Sequence, residues 1–414
     1  MRLAILNSNA RVVGGIESYL DRIMRALVAR GDEVALLCDY DQPHDRPEIA
    51  AEAKIPRWST SALGSNRAID ELRRWRPDVV FAHGLASSGD LAAAAEIAPA
   101  AYFVHDYRAT CISGFKRFAA PVEKPCARRF GPGCLPRFFP LRCGGLNPST
   151  MLSDYRRATA SLAVIRRYRA VLTASRHMRA ELLKHGFTAE KIYCTSLPIA
   201  ERSIESQEVG DSPHAAPSRM LFAARMESVK GGHLLIGAAA RAVALLDRPL
   251  TLAMIGDGRD RPRLEFLARS AMARESRLKI NFEGWLDGDV LAARLRETDL
   301  IVIPSIWPEP FGMTGLEAGI LGIPACAFAV GGIPEWLDDG VNGHLALADP
   351  PNQESLAMAI VKCLADREHY LRMRKAARAI ALSYSMSAHL RALAAVFANL
   401  QNSACRERSL ANPA

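Results

Sequence analysis

The sequence predicts an α/β protein built as two doubly wound, Rossmann-like domains facing a central cleft. Three observations carry this. At 414 residues the chain is too long for one ordinary core and suits two domains of roughly 200 residues each. Short apolar runs of parallel-strand shape alternate with stretches of helical period through both halves. Between the two series lies a polar stretch, 201–217, with Pro213, Pro217 and few large apolar side chains, which is the composition of a linker.

The first series opens with the apolar run 3–6, a buried parallel strand by its shape. Gly14 and Gly15 follow. Ile16, Leu20, Ile23 and Leu27 then recur at helical spacing until Gly31 stops the helix. Further strands are expected at 34–38, 79–82, 102–104, 171–174 and 192–195, and a second series at 220–223, 252–255, 280–282, 300–303 and 325–329. Leu390, Leu393 and Phe397 share one face of a last helix within 386–400. The expected organisation is a first domain over 1–200 with an irregular insertion at 107–148, the linker, a second domain over 218–384, and a terminal helix over 385–402. No short repeat period is present, which argues against a solenoid.

Hydrophobic content of 49% and charged content of 23% are those of an ordinary globular protein. The first residues lack the long apolar stretch and cleavage site of a signal peptide. No uninterrupted apolar run reaches the roughly 20 residues that span a bilayer. The best stretch, 313–330, is broken by Glu317, Pro324 and several glycines. A cytoplasmic protein is expected. The net charge of +9 is concentrated: residues 101–190 hold 16 Lys/Arg against 5 Asp/Glu, leaving the remainder near neutral. Such a face suits an anionic partner or is simply solvated.

The strongest chemical signal follows the strand at 300–303. A loop, 304–312, leads into a helix starting near Met313 or Thr314, and ligands of open α/β sheets sit beyond the carboxyl ends of strands. The N–H groups of Gly312, Met313 and Thr314 would face a phosphate there. Glu317, a turn further on, is placed to accept from a ribose diol, and Glu309 to accept from sugar hydroxyls. Two carboxylates need cations beside them. Arg225 and Lys230, after the strand at 220–223, would flank a diphosphate and neutralise charge growing on a leaving group. His105, followed by Asp106 at another strand end, is a further candidate, with Asp106 either fixing its tautomer or capping a turn. His83, also at a strand end, reads as structural. The triplet Asp39-Tyr40-Asp41 reads as a loop rather than a metal site.

These segments resemble the retaining GT-B glycosyltransferases of family 4 (glycosyl transferases group 1), in particular those of bacterial polysaccharide and lipid-linked sugar synthesis. The family's two glutamates separated by seven residues correspond to Glu309 and Glu317, and its Arg and Lys five residues apart to Arg225 and Lys230. The likeness includes Gly14-Gly15 with Glu17, His105-Asp106, Gly256-Asp257-Gly258 and Gly331-Gly332-Ile333-Pro334-Glu335. It implies a GT-B fold and a donor site of Gly15, Arg225, Lys230, Glu309, Phe311, Gly312, Met313, Thr314 and Glu317. His105 would lie near the transferred sugar. The donor would be a UDP- or GDP-linked sugar, and the acceptor, a saccharide or lipid-linked molecule, would bind mostly to the first domain. Transfer would retain configuration and need no catalytic metal or other cofactor.

Nine cysteines in a cytosolic chain are not a disulfide framework. Cys111, Cys126, Cys134 and Cys143 cluster in the basic, Gly- and Pro-rich insertion. They suit either a structural Zn²⁺ site that orders a segment poor in apolar residues, or four unligated, redox-sensitive thiols. The insertion's aromatics Phe115, Phe118, Phe130, Phe138 and Phe139, with its arginines, suggest an acceptor-binding surface in peripheral contact with the inner face of the cell membrane. Two other functions compete: a nucleotide-sugar epimerase or hydrolase of the same architecture, and a nucleic-acid-binding protein using a Cys-rich metal site. No nucleic-acid module is recognisable, and no nucleic-acid partner is expected.

Overall fold

The computed structural model describes residues 1–41, 45–199, 216–286 and 288–411. Almost all of the expected linker, 201–217, lies outside the described residues. The first half is built on β1 (Arg2–Asn9), β2 (Glu33–Tyr40), β3 (Arg57–Ser59), β4 (Val79–Ala82) and β5 (Ala100–Val104). A short antiparallel hairpin, β6 (Arg117–Phe118) with β7 (Lys124–Pro125), interrupts the series before β8 (Ala170–Thr173) and β9 (Ile192–Cys194). The seven sheet strands lie in the order β3-β2-β1-β4-β5-β8-β9, all parallel.

The second half repeats the plan with β10 (Arg219–Ala223), β11 (Leu250–Ile255), β12 (Leu278–Gly284), β13 (Leu300–Ile303), β14 (Ala325–Phe328) and β15 (Gly343–Ala346). Their order, β12-β11-β10-β13-β14-β15, is again fully parallel. This is the doubly wound architecture expected in each half.

Apolar runs form the central strands because helices cover both faces of a parallel sheet. Leu3 to Leu6 are fully buried, and the helix Gly15–Ala29 lays Leu20, Ile23, Met24 and Leu27 against the sheet. Two strands had no such run to announce them. β3 is half-buried Arg57-Trp58-Ser59 and β15 is Gly343-His344-Leu345-Ala346, and each closes an edge of its sheet. β3 buries little and so needs few apolar residues, whereas β15 is mostly buried with small residues and His344 in place of an apolar run.

The last helix, Met386–Ala411, returns to the first half, where Phe397 meets Phe81 edge-on at 5.2 Å and His389 bonds Tyr19 Oη at 2.9 Å. Two helical stretches, 228–246 and 367–403, are long and apolar enough to cross a bilayer by length and composition. In the fold Leu235, Ile236 and Val243 of the first, and Tyr370, Met373 and Phe397 of the second, are buried against protein.

Phe397 is fully buried. Phe397→Ala is therefore expected to cost about 3–5 kcal/mol, read as a lower urea midpoint with an unchanged slope.

Candidate active site

β10 and β13 are neighbours, with Met220 beside Leu300 and Leu221 beside Ile301, so the loops after them open at the same end of the sheet. A single 3-10 turn, Ser228–Lys230, brings Lys230 back over that end. Gly231 ends the turn at φ +68°, and a Cβ there would lie 1.8 Å from the Pro304 carbonyl oxygen, so no larger residue allows this approach. The result joins residues far apart in the chain: Lys230 Nζ stands 2.7 Å from Glu309 Oε1.

Ser305 Oγ donates to the same carboxylate oxygen at 2.5 Å. Burial works to raise the Glu309 carboxyl, but Lys230, Ser305 and Trp307 outweigh it and hold it below the ordinary glutamate range. Gly331, at φ +60°, supports the loop from behind, where a Cβ would fall 2.1 Å from the Glu309 carbonyl oxygen. Gly332 N–H donates to that carbonyl at 2.7 Å. Lys230, Ser305, Glu309, Gly312, Met313 and Thr314 line a cavity of about 130 Å³. Ligand sites generally run to about 300–1,000 Å³. The enclosed part is therefore smaller than a typical ligand site.

The remaining expected donor residues divide. Gly312, at φ +87°, turns the chain into the short helix Met313–Gly319. Phe311 requires a correction: its ring is buried against Tyr384, its carbonyl accepts from Trp336 Nε1 at 2.8 Å, and it does not line the cavity. Arg225 is exposed and pairs loosely with Glu227 at 3.7 Å, outside the cavity. Glu317 reaches across the cleft to Arg22 of the first half, 3.8 Å away. Desolvation there raises its carboxyl, opposed by Arg22. Gly15 begins its helix in open space, with nothing within 4 Å of where a Cβ would be.

On the facing half, β4 and β5 deliver His83 and His105 side by side, with His83 Nδ1 and His105 Nε2 2.8 Å apart. His105 stacks on Phe103 at 4.5 Å, and Tyr19 packs edge-on against both imidazoles, His83 and His105. Burial holds all three clustered histidines neutral: His105 is pushed down to about 3, His389 to about 4, and His83 well below its ordinary value. Asp106 caps a turn by accepting from Arg108 N–H at 2.9 Å, so His83 and not Asp106 sets the His105 ring. In the Asp-x-Asp triplet, Asp39 accepts from Ala86 N–H at 2.6 Å and Asp41 from Arg11 at 3.0 Å, both loop-tying roles.

The insertion overturns two expectations. Among the described residues no group of three or more His, Cys, Asp or Glu is arranged to hold a metal ion, so a structural zinc on Cys111, Cys126, Cys134 and Cys143 is not supported. All four are free cysteines. Burial and the three neighbouring thiols push Cys143 up to about 12, and burial also raises Cys126, so both thiols favour the protonated form. Packing orders the segment instead. Phe130 and Phe138 are buried in the first half's core, and Lys116 Nζ forms a buried ion pair with Glu181 at 2.5 Å. His185 Nε2 accepts from Phe130 N–H at 2.8 Å. Those two phenylalanines are therefore not membrane-facing, and Phe115 packs against Trp307 of the second half.

Trp307, Arg22 and Ser305 were not anticipated from sequence, and His83 was assigned only a structural part. Trp307 had one visible signal: an aromatic residue two positions before Glu309 in a strand-end loop.

Two facing parallel-sheet halves, with a cation–carboxylate pair at the carboxyl ends of the second sheet, make up the architecture of a GT-B protein. Residues 211–380 match the family described as Glycosyl transferases group 1, and residues 13–138 match Glycosyltransferase Family 4. Between them the two matches take in most of the chain, which is a glycosyltransferase using nucleotide sugars. It is 35% identical over 147 residues to the uncharacterized glycosyltransferase MJ1607 of Methanocaldococcus jannaschii, a match spanning 36% of either chain. It is 24% identical over 402 residues to glycogen synthase of Mycobacterium tuberculosis, covering 89% of this chain and 86% of that one. The crystal structure of Anabaena HepE with UDP and glucose superposes with a TM-score of 0.65 at 19% identity, over 96% of this chain and all of HepE.

The buried histidines carry a pH consequence. Each is neutral when folded but titrates near 6.5 when unfolded, so the unfolded chain binds more protons in acid. Their contribution is complete above about pH 6.5 and is lost as pH falls towards the folded values, by up to about 1.4 kcal/mol per unit per histidine. Melting temperature should drop steeply below pH 6, and His389→Gln should make that drop shallower by one proton.

Proposed function

We propose that this glycosyltransferase moves a hexose-type sugar from a nucleotide-diphospho donor to a saccharide or lipid-linked acceptor, with retention of configuration, in cell-surface polysaccharide or glycolipid synthesis. The observation that carries the reading is the Lys230–Glu309 pair inside the strand-end cavity. Lys230 would bind the diphosphate, joined by Arg225 once a ligand draws its exposed guanidinium away from Glu227. Glu309 would accept from hydroxyls of the transferred sugar, Glu317 from the ribose, and backbone N–H groups of 312–314 and of Gly15 would face the phosphates. His105, from the facing half, would contact the sugar.

In the proposed step the anomeric carbon's bond to the diphosphate oxygen breaks as the acceptor oxygen bonds to the same face of that carbon. A donor phosphate oxygen takes the acceptor's proton. Lys230 and Arg225 stabilise the departing nucleoside diphosphate, which is where charge develops. UDP is the favoured nucleotide, since HepE was solved with UDP, and a GDP-linked donor is the alternative.

The insertion and the helix that follows it carry exposed Arg137, Arg142 and Arg156, and Leu146 and Leu152, which are 79% and 39% exposed. This surface suits peripheral attachment to an anionic membrane from the cytoplasmic side.

Two measurements test the reading. A panel of nucleotide sugars is screened for thermal stabilisation, and the stabilising donor is then used for transfer assays. Lys230→Ala is expected to lower turnover at least a hundredfold in protein still folded at the assay temperature, with a lower melting temperature because Glu309 loses its buried partner. Unchanged turnover would sink the assignment. Donor breakdown with no sugar on any acceptor would instead favour the epimerase or hydrolase alternative.

A further inference from the structure

Trp307 belongs by sequence to the donor half, in the loop between β13 and the helix Met313–Gly319, yet its side chain packs into the hydrophobic cluster of the first half. Among the described residues, every other member of that cluster and of its surrounding shell lies between Ala4 and Ile192. The indole is gripped there by two rings of the insertion. Tyr107 meets it edge-on at 6.0 Å and Phe115 at 6.3 Å.

Its other surfaces serve the donor site. Lys230 Nζ stands over the ring, 5.2 Å from the centroid. The indole N–H is buried without a full hydrogen bond, and it contributes to holding the Glu309 carboxyl low. The backbone agrees, since Ile306 N–H donates to the Val229 carbonyl at 2.9 Å, tying the two loops together beside Lys230.

We infer that Trp307 is a positioning residue, through which the docked insertion of the first half holds Lys230 ready for the donor's diphosphate. A lysine side chain has many rotamers, and an aromatic face that attracts its ammonium removes most of them before the ligand arrives. The insertion supplies the two rings that keep the indole in place. When the halves separate, those rings leave, and Lys230 loses its support. The insertion thus makes donor affinity depend on the two halves being closed on one another.

This rests on the reading that Lys230 binds the nucleoside diphosphate, and the test separates the two. UDP binding is measured by calorimetry on the full chain carrying Trp307→Ala, Trp307→Phe, Phe115→Ala, Lys230→Met, or each of the first three combined with Lys230→Met. Trp307→Ala is expected to weaken UDP about tenfold, the size of a desolvated cation–π contact, and Trp307→Phe to recover most of that loss. Phe115→Ala, on the opposite half, should weaken UDP in the same direction by less. None of the three should weaken it further once Lys230 is methionine. Equal losses with and without Lys230 would overturn the inference, because Trp307 would then act on the ligand or the fold directly. If Lys230→Met weakens UDP while Trp307→Ala does not, the positioning role alone fails. If Lys230→Met leaves UDP affinity unchanged, the donor-site reading fails first. Phe115→Ala alters only a half-buried ring, so the comparison survives even if Trp307→Ala folds poorly.

Discussion

In a parallel sheet every strand ends at the same edge, because each crossover must return along a face of the sheet before the next strand can begin. Both halves of this protein obey that constraint throughout their large sheets. The loops after β10 and β13 therefore meet at one edge, although Lys230 and Glu309 are 79 residues apart. Without the parallel order, the cation and the carboxylate would have no reason to be neighbours. The glycines behind the two loops then set the fit. A Cβ at Gly231 would collide with the Pro304 carbonyl of the loop after β13, and one at Gly331, in the loop after β14, with the Glu309 carbonyl.

The Lys230–Glu309 pair is a weak source of stability. Both groups lose water on entering the cavity, and the attraction between them offsets that loss incompletely. Leaving either alone would be far more costly, since Glu309 is 7% exposed. The arrangement makes better sense as preorganisation. Charge is held where a diphosphate and a sugar are expected, before either arrives. The facing half uses the opposite strategy. Its histidines are stacked among Phe103, Phe81 and Tyr19, and burial keeps them uncharged. One half supplies ions, and the other supplies neutral hydrogen-bonding rings.

The insertion changed most between composition and structure. Four cysteines among glycines and prolines left open whether a metal orders the segment or the thiols are unligated. The order comes instead from two buried phenylalanines, a buried lysine–glutamate pair and a histidine that accepts from the Phe130 amide. These partners, Glu181 and His185, sit on or just after the helix Arg176–Lys184, far along the chain, so their role was invisible in the local composition. The same segment then reaches past its own half to Trp307 and, through Arg117 Nη2, to Ser228 Oγ at 2.9 Å.

Sequence alone determined the two doubly wound halves, most of their central strands, and the candidate group at 309–317 with Arg225 and Lys230. It could do so because buried parallel strands are written as apolar runs, helices as a 3.6-residue period, and strand-end glycines as breaks between them. Tertiary structure alone decided the rest. The edge strands β3 and β15 lack an apolar run, Phe311 turns into the core, and Arg225 swings outward. His83 rather than Asp106 became the partner of His105, and Trp307 and Arg22 became contacts between the halves. Each of these depends on which distant residue a side chain meets, and periodicity carries no record of that.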